Sequence, residues 1–211
     1  MAHALEHARA CGCSEAVIVI GHEGKRVRDA VERFGLPLAI TFVENRELDA
    51  PNGVSLLKAE LLTDECFFLQ MVDHVFGGLA LGALIMSPFT AGEAGRVLVD
   101  QSPGAIDLAD ATKVRLAGDR RVTAIGKHIE PWDGIDAGCF VLTRAVFEAL
   151  RDAARSEPLT VSAGMRRLAA ANALGSADVT LDWVDVDTAA DRALAEQLVS
   201  ALATTRELPV T

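Results

Sequence analysis

The chain has no basic block, no long apolar run, no paired-cysteine framework and no tyrosine, and most of these absences remove a class of function. Lysine and arginine number 20 against 30 aspartates and glutamates, a net charge of −10. No local basic excess offsets it, which argues against a nucleic-acid partner. Small anionic ligands stay compatible, because a few local cations together with a metal ion can hold a phosphate. Of the four cysteines, Cys66 and Cys139 fall in apolar runs, where a thiol behaves as a small hydrophobe. Cys11 and Cys13 would make half of a metal site, but no second thiolate or histidine pair stands at a suitable spacing. Reduced thiols and a cytoplasmic location are therefore expected. The N-terminus lacks the basic region and long apolar core of a signal peptide. The apolar stretch 75–86 is too short and too broken by glycine to span a bilayer. The missing tyrosine carries no functional message. There is no internal repeat, low-complexity tract or linker, so residues 1–211 are read as a single domain with a sizeable core.

What is present alternates. Helical patterns at 2–12, 24–34, 55–62, 78–86, 144–155, 162–174 and 189–202 are interleaved with apolar, strand-like runs at 16–20, 38–43, 66–72, 96–100, 136–142 and 179–186. Residues 113–125 differ: Val114 and Leu116, then Val122 and Ile125, flank Ala117-Gly118-Asp119-Arg120, which predicts a β-hairpin. The alternation predicts an α/β fold, a three-layer α/β/α sandwich around a mainly parallel, mixed sheet.

The run Leu69-Gln70-Met71-Val72 ends by delivering a carboxylate, Asp73, at an expected strand end followed by a loop and a helix. In open α/β sheets ligands bind at that edge, and a charge placed there needs a compensating cation or hydrogen bonds. A second acidic strand end lies far away in sequence, in Trp183-Val184-Asp185-Val186-Asp187-Thr188. Together they suggest a divalent-metal site. Strand periodicity puts Asp185 and Asp187 on one face, and either of them, or Thr188, could instead cap the last helix.

Several blocks in order resemble one superfamily: Asn45, then Pro51-Asn52-Gly53-Val54-Ser55; Met71-Val72-Asp73-His74-Val75; Asp110-Ala111-Thr112-Lys113-Val114; Ile125-Gly126-Lys127; Ile135-Asp136-Ala137-Gly138-Cys139; and the Trp183 to Thr188 segment. They are similar to nucleotidyltransferases of the nucleotide-diphospho-sugar transferase type, and among these to inositol-1-phosphate cytidylyltransferase domains. The resemblance implies CMP transfer from CTP to a small phosphorylated alcohol, inositol 1-phosphate above all, with release of pyrophosphate and with Mg²⁺ as cofactor. The alternatives are a sugar-1-phosphate nucleotidyltransferase or a non-catalytic remnant that binds a nucleotide or partner. A homo-oligomer is left open.

Residue by residue, the resemblance implies Mg²⁺ ligation by Asp73 and Asp185, with Asp187 as the neighbouring alternative, and a catalytic role for Asp73 and Lys127. Asn52, Gly53 and Ser55 would join Asp73 in binding the nucleotide. Without the resemblance, Asn52-Gly53 reads equally well as a turn and Ser55 as a helix cap. Lys113, Lys127, Asp136 and Gly138 would bind the acceptor: the lysines its phosphate, Asp136 its hydroxyls, and Gly138 by letting the backbone approach. His74 is read as a packed neighbour of the metal ligand. One departure stands out. The family's Gly-x-Gly-Thr-Arg loop, which cradles the triphosphate through backbone N–H groups, occurs nowhere in the chain, which starts within the helix that should follow it. The expectation is a fold without its N-terminal strand and impaired turnover by the chain as written.

Overall fold

The computed structural model describes residues 1–104, 106–179 and 181–206. In chain order the elements are α1 (Ala2–Ala10), β1 (Glu15–Ile20), α2 (Gly24–Arg33), β2 (Ala39–Glu44), α3 (Asn52–Lys58) with a 3-10 turn at Glu60–Leu62, β3 (Cys66–Gln70), β4 (His74–Phe76), α4 (Ala80–Leu84) and β5 (Gly95–Asp100). There follow β6 (Lys113–Leu116), β7 (Val122–Gly126), β8 (Gly134–Thr143), α5 (Ala145–Ala153), α6 (Val161–Ala170), β9 (Leu174–Asp178), β10 (Trp183–Asp185) and α7 (Ala189–Arg206). No helix among the described residues is long and apolar enough to cross a membrane.

The long strand β8 organises the main sheet. It runs antiparallel to β5 on one edge and, on the other, antiparallel to β3 along its second half and to β6 at its start. β9 extends the sheet parallel to β5, and β7 closes a hairpin with β6. Thus β3, β5 and β9 point one way and β8 runs against them, making the sheet mixed. Its antiparallel pairs outnumber its parallel ones, which alternation of helices and strands along the chain does not disclose.

β8 also shows why there are three layers. Phe140 and Leu142 face a cluster with Leu56 of α3, Phe147 and Leu150 of α5 and Met165 of α6. The intervening Ala137, Cys139 and Val141 face a second cluster with Leu81 and Leu84 of α4, Phe76 and Trp183. Successive side chains of a strand point to opposite faces, so a continuous apolar run implies cover on both. β1 and β2 form a separate parallel pair, with its own cluster of Leu5, Ile18, Ile20, Val31 and Leu38.

Three local expectations are corrected. The segment 179–186 is not one strand: β9 already ends at Asp178, and the short β10 covers only Trp183–Asp185. The helix expected over 162–174 stops at Ala170, with Asn172 at a positive φ of 55°, freeing Leu174 to start β9. Residues after Asp73 do not lead directly into a helix; His74–Phe76 forms β4, antiparallel to β10. These strands rest on small residues or on three-residue pairings, so they leave little periodicity to read.

Candidate active site

Two irregularities in the strands build the site. The first is the break between β3 and β4, a turn that leaves Asp73 half-exposed immediately before His74. β4 pairs with β10 in the register His74 opposite Asp185, which draws the two remote acidic segments together. The second is a bulge in β8. Val97 of β5 pairs with Phe140 but Val99 pairs with Asp136, so β8 uses extra residues around Gly138, whose φ is 70°. Bulges re-aim side chains and are frequent beside functional sites. Here the bulge turns the Ala137 carbonyl oxygen toward His74 Nδ1, 2.7 Å away.

One potential ligand atom each from Asp73, His74 and Asp185 lies within 4.8 Å of the others. His74 Nε2 stands 3.5 Å from Asp185 Oδ1 and 3.8 Å from Asp73 Oδ1. Burial pushes the Asp185 carboxyl up; His74 opposes this, while Asp187, Asp73 and Asp110 add to it. Like-charged groups held this close favour a bound cation. Asp187, expected on the same strand face, lies beyond the end of β10 and outside this trio, although it lines the same cleft.

The cleft holds about 400 Å³ and is lined by Asn52, Asp107, Asp110, Thr112, Lys127, Asp136, Gly138, Ser162 and Asp185, among others. Among the described residues lining it, Lys127 is the single lysine or arginine. A nucleoside triphosphate entering this acidic mouth would be repelled unless divalent cations came with it. The oxygen-rich donor set suits such ions.

Lys127 pairs with the Asp110 carboxylate, which holds its ammonium at the rim. Lys113 does not line the cleft; its Nζ donates to the Lys127 carbonyl oxygen at 3.0 Å and braces the hairpin. Asn52 lines the cleft, and its Oδ1 accepts the Val161 N–H at 2.9 Å, leaving its amide nitrogen to donate elsewhere. Gly53 is occupied by packing: its N–H donates to the Leu159 carbonyl oxygen at 3.1 Å, and a Cβ there would come within 2.6 Å of that oxygen. Ser55 Oγ accepts from Asn45 Nδ2 at 3.0 Å, tying α3 to the loop after β2. Asp107, Asp110 and Thr112 also line the site; Asp110 and Thr112 stand in a block that carries the resemblance, whereas the isolated Asp107 carries no signal in sequence.

Gly138 lines the cleft, but its missing side chain is needed by His74: a Cβ would sit 2.4 Å from the ring's Nδ1. The imidazole also stacks on Trp183, with centroids 5.1 Å apart. Trp183 in turn stacks on Phe76 and donates from Nε1 to Asp100 Oδ2 at 2.9 Å.

Asp136 forms part of the cleft wall and accepts the Gly138 N–H at 2.8 Å. Burial pushes its carboxyl from the ordinary 3.8 up to about 6, against the pull of that N–H and of His74. A raised folded-state value stabilises the fold fully below 3.8 and is lost as pH climbs through about 6. Asp136→Asn, with no charge to desolvate, should exceed the parent's stability at pH 7.5 in metal-free buffer by about 1–3 kcal/mol. Chemical melts should converge near pH 4, and a constant gap across the range would remove buried charge as the cause.

Comparison with known proteins bears on the fold. Over 189 residues, 88% of the chain, it is 35% identical to a bifunctional IPC transferase and DIPP synthase of Rubrobacter xylanophilus. It is 37% identical over 155 residues to the protein of the same name from Archaeoglobus fulgidus. The chain is thus similar to one stretch of these bifunctional proteins. It spans 41% and 29% of the length of those two curated relatives. The inositol-1-phosphate CTP transferase of T. maritima has the same fold, with a TM-score of 0.83 at 21% identity over 95% of this chain and 81% of that one. A UDP-glucose pyrophosphorylase complexed with UDP-glucose superposes with a TM-score of 0.78 at 14% identity, over 95% of this chain and 86% of that one. No family model matches the chain. The nucleotide-diphospho-sugar transferase architecture expected from sequence is therefore the architecture found.

Proposed function

We propose that the chain is a cytidylyltransferase that transfers CMP from CTP to inositol 1-phosphate and releases pyrophosphate. The observation that carries this reading is the convergence of Asp73 with His74 and Asp185, the latter two lining a cleft whose single lysine among the described residues is Lys127. The relatives' printed names, IPC transferase and inositol-1-phosphate CTP transferase, support the choice of substrates.

In this reaction a phosphate oxygen of the acceptor forms a bond to the α-phosphorus of CTP. The bond from that phosphorus to the bridging oxygen of the β-phosphate breaks, and pyrophosphate leaves with the electron pair. Such transfers depend on positioning and charge neutralisation more than on proton movement. Asp73 and Asp185 are the residues to hold Mg²⁺, which when bound supplies positive charge to the phosphates. Lys127 exchanges its Asp110 partner for the acceptor's phosphate. Asn52, whose oxygen accepts the Val161 N–H, presents its amide N–H group to an acceptor atom of the cytosine edge. Asp136 faces the acceptor's hydroxyls. The substrates and the four free thiols suit a cytoplasmic protein.

The direct test is pyrophosphate release from CTP with inositol 1-phosphate and Mg²⁺. Turnover only with UTP and glucose 1-phosphate would overturn the reading in favour of a sugar-nucleotide enzyme, and no turnover with either pair would favour the non-catalytic remnant. Base selectivity has a separate readout. CTP with Mg²⁺ should raise the melting temperature more than ATP at the same concentration, because stabilisation tracks affinity for the folded state. Equal shifts would refute cytosine recognition at Asn52.

A further inference from the structure

We infer that His74 is itself a ligand of the divalent cation, so that the site offers one nitrogen and two carboxylate oxygens and favours a first-row transition ion over Mg²⁺. This inference rests on the reading of the cleft as a cation site and is independent of which nucleotide or acceptor is used.

The tautomer follows from one contact. Nδ1 lies 2.7 Å from the carbonyl oxygen of Ala137. A carbonyl oxygen can only accept, so Nδ1 carries the proton, and in the neutral ring the lone pair is on Nε2. That nitrogen faces Asp185 Oδ1 at 3.5 Å and Asp73 Oδ1 at 3.8 Å. Both separations exceed a charge-assisted hydrogen bond, which closes to about 2.7–2.9 Å. They approach the span of two donors on one ion: metal–ligand bonds of about 2.1 Å place cis ligands about 3.0–3.4 Å apart. Movement of the two carboxylates, whose donor atoms lie within 4.8 Å of each other, would close the site.

The ring cannot readily turn away. Trp183 stacks on one face, and Gly138 approaches so closely that even a methyl group would collide with Nδ1. An imidazole whose remote N–H is fixed by a backbone carbonyl is the usual outer-shell arrangement of a metal-binding histidine. The β8 bulge has a specific role in this picture, since it supplies both the anchoring carbonyl and the space for the ring. A nitrogen ligand favours first-row ions over Mg²⁺, Co²⁺ more strongly than Mn²⁺.

The experiment uses Mn²⁺ alone, without nucleotide, titrated into the protein and followed by electron paramagnetic resonance. One ion per chain should bind, and its pulsed spectrum should show ¹⁴N modulation from a directly bonded imidazole. Protein grown with ¹⁵N-histidine should change the modulation frequencies, a control that needs no substitution and no refolding. His74→Gln should abolish the nitrogen signal and weaken Mn²⁺ binding by at least about tenfold. Mg²⁺ should displace bound Mn²⁺ only in large excess. Failure to bind Mn²⁺, bound Mn²⁺ without nitrogen coupling, or a ¹⁴N signal that survives ¹⁵N-histidine labelling would overturn the assignment. Nitrogen coupling in a protein that fails to turn over CTP would leave this inference standing and remove only the cytidylyltransferase reading.

Discussion

Asp73→Asn will lower metal-dependent CTP turnover by a hundredfold to a thousandfold, on the order of what is lost when one preorganised charge-stabilising group is removed, while scarcely changing the fold. The asymmetry follows from position. Asp73 sits in a turn with its side chain 46% exposed, outside the clusters that hold the sheet, and surface changes of this kind usually stay within about 0.5 kcal/mol. In the cation-free protein the substitution should even help slightly, because Asp73 is one of the neighbours pushing Asp185 up. With Mg²⁺ or Mn²⁺ present the order reverses, since the asparagine binds the ion weakly and forgoes its stabilisation. Thermal melts of both proteins with and without metal, set beside kcat/KM, will show the crossing. A variant that melts far below the parent without metal would instead assign Asp73 to the fold.

Gly138→Ala should be the most damaging single-methyl change in the molecule. A non-glycine residue at φ of 70° costs about 1–2 kcal/mol, and the added carbon would stand 2.4–2.9 Å from three atoms of the His74 ring. The imidazole is stacked on Trp183, so relief requires the bulge to flatten or the ring to leave its stack. Either movement breaks the Nδ1 to Ala137 contact and misaims Nε2. A stability loss of about 2–4 kcal/mol is expected, together with weaker Mn²⁺ binding. Denaturant melts and metal titration measure the two effects separately. If stability falls but metal affinity does not, the glycine serves the backbone alone. Gly53 makes a useful contrast, because a Cβ there meets the Leu159 carbonyl oxygen at 2.6 Å. Its alanine variant should lose stability without reducing the affinity for metal.

The acidic pair was legible in sequence because each member ends or follows an apolar run, a pattern with a physical reason behind it. The pairing of His74 with Asp185 was not, since a three-residue strand has no periodicity and its register depends on a partner more than a hundred residues away. β9 was hidden for another reason: Leu174-Gly175-Ser176-Ala177 has small side chains of low strand propensity, and its burial comes from β5 beside it. The roles of Gly53 and Ser55 also depend on tertiary packing. The turn and cap readings of that segment touched part of it, but neither could see the 159–161 segment lying across α3. Lys113 and Lys127 were both expected at the acceptor's phosphate, whereas Lys113 braces the hairpin and only Lys127 lines the cleft.

The separate pairing of β1 with β2 has a kinetic consequence. These strands share no backbone ladder with the main sheet, and their apolar cluster is distinct from the two around β8. Side-chain links such as the Asn45 bond to Ser55 join them to α3. A unit attached in this way can open without the rest, at a lower free energy than global unfolding. Under native conditions the amides of Val17 to Ile20 and Thr41 to Glu44 should therefore exchange with solvent deuterium well before those of Val97 to Val99 and Phe140 to Leu142. The unit bearing α2 would breathe on its own clock, while the floor of the cleft stayed closed.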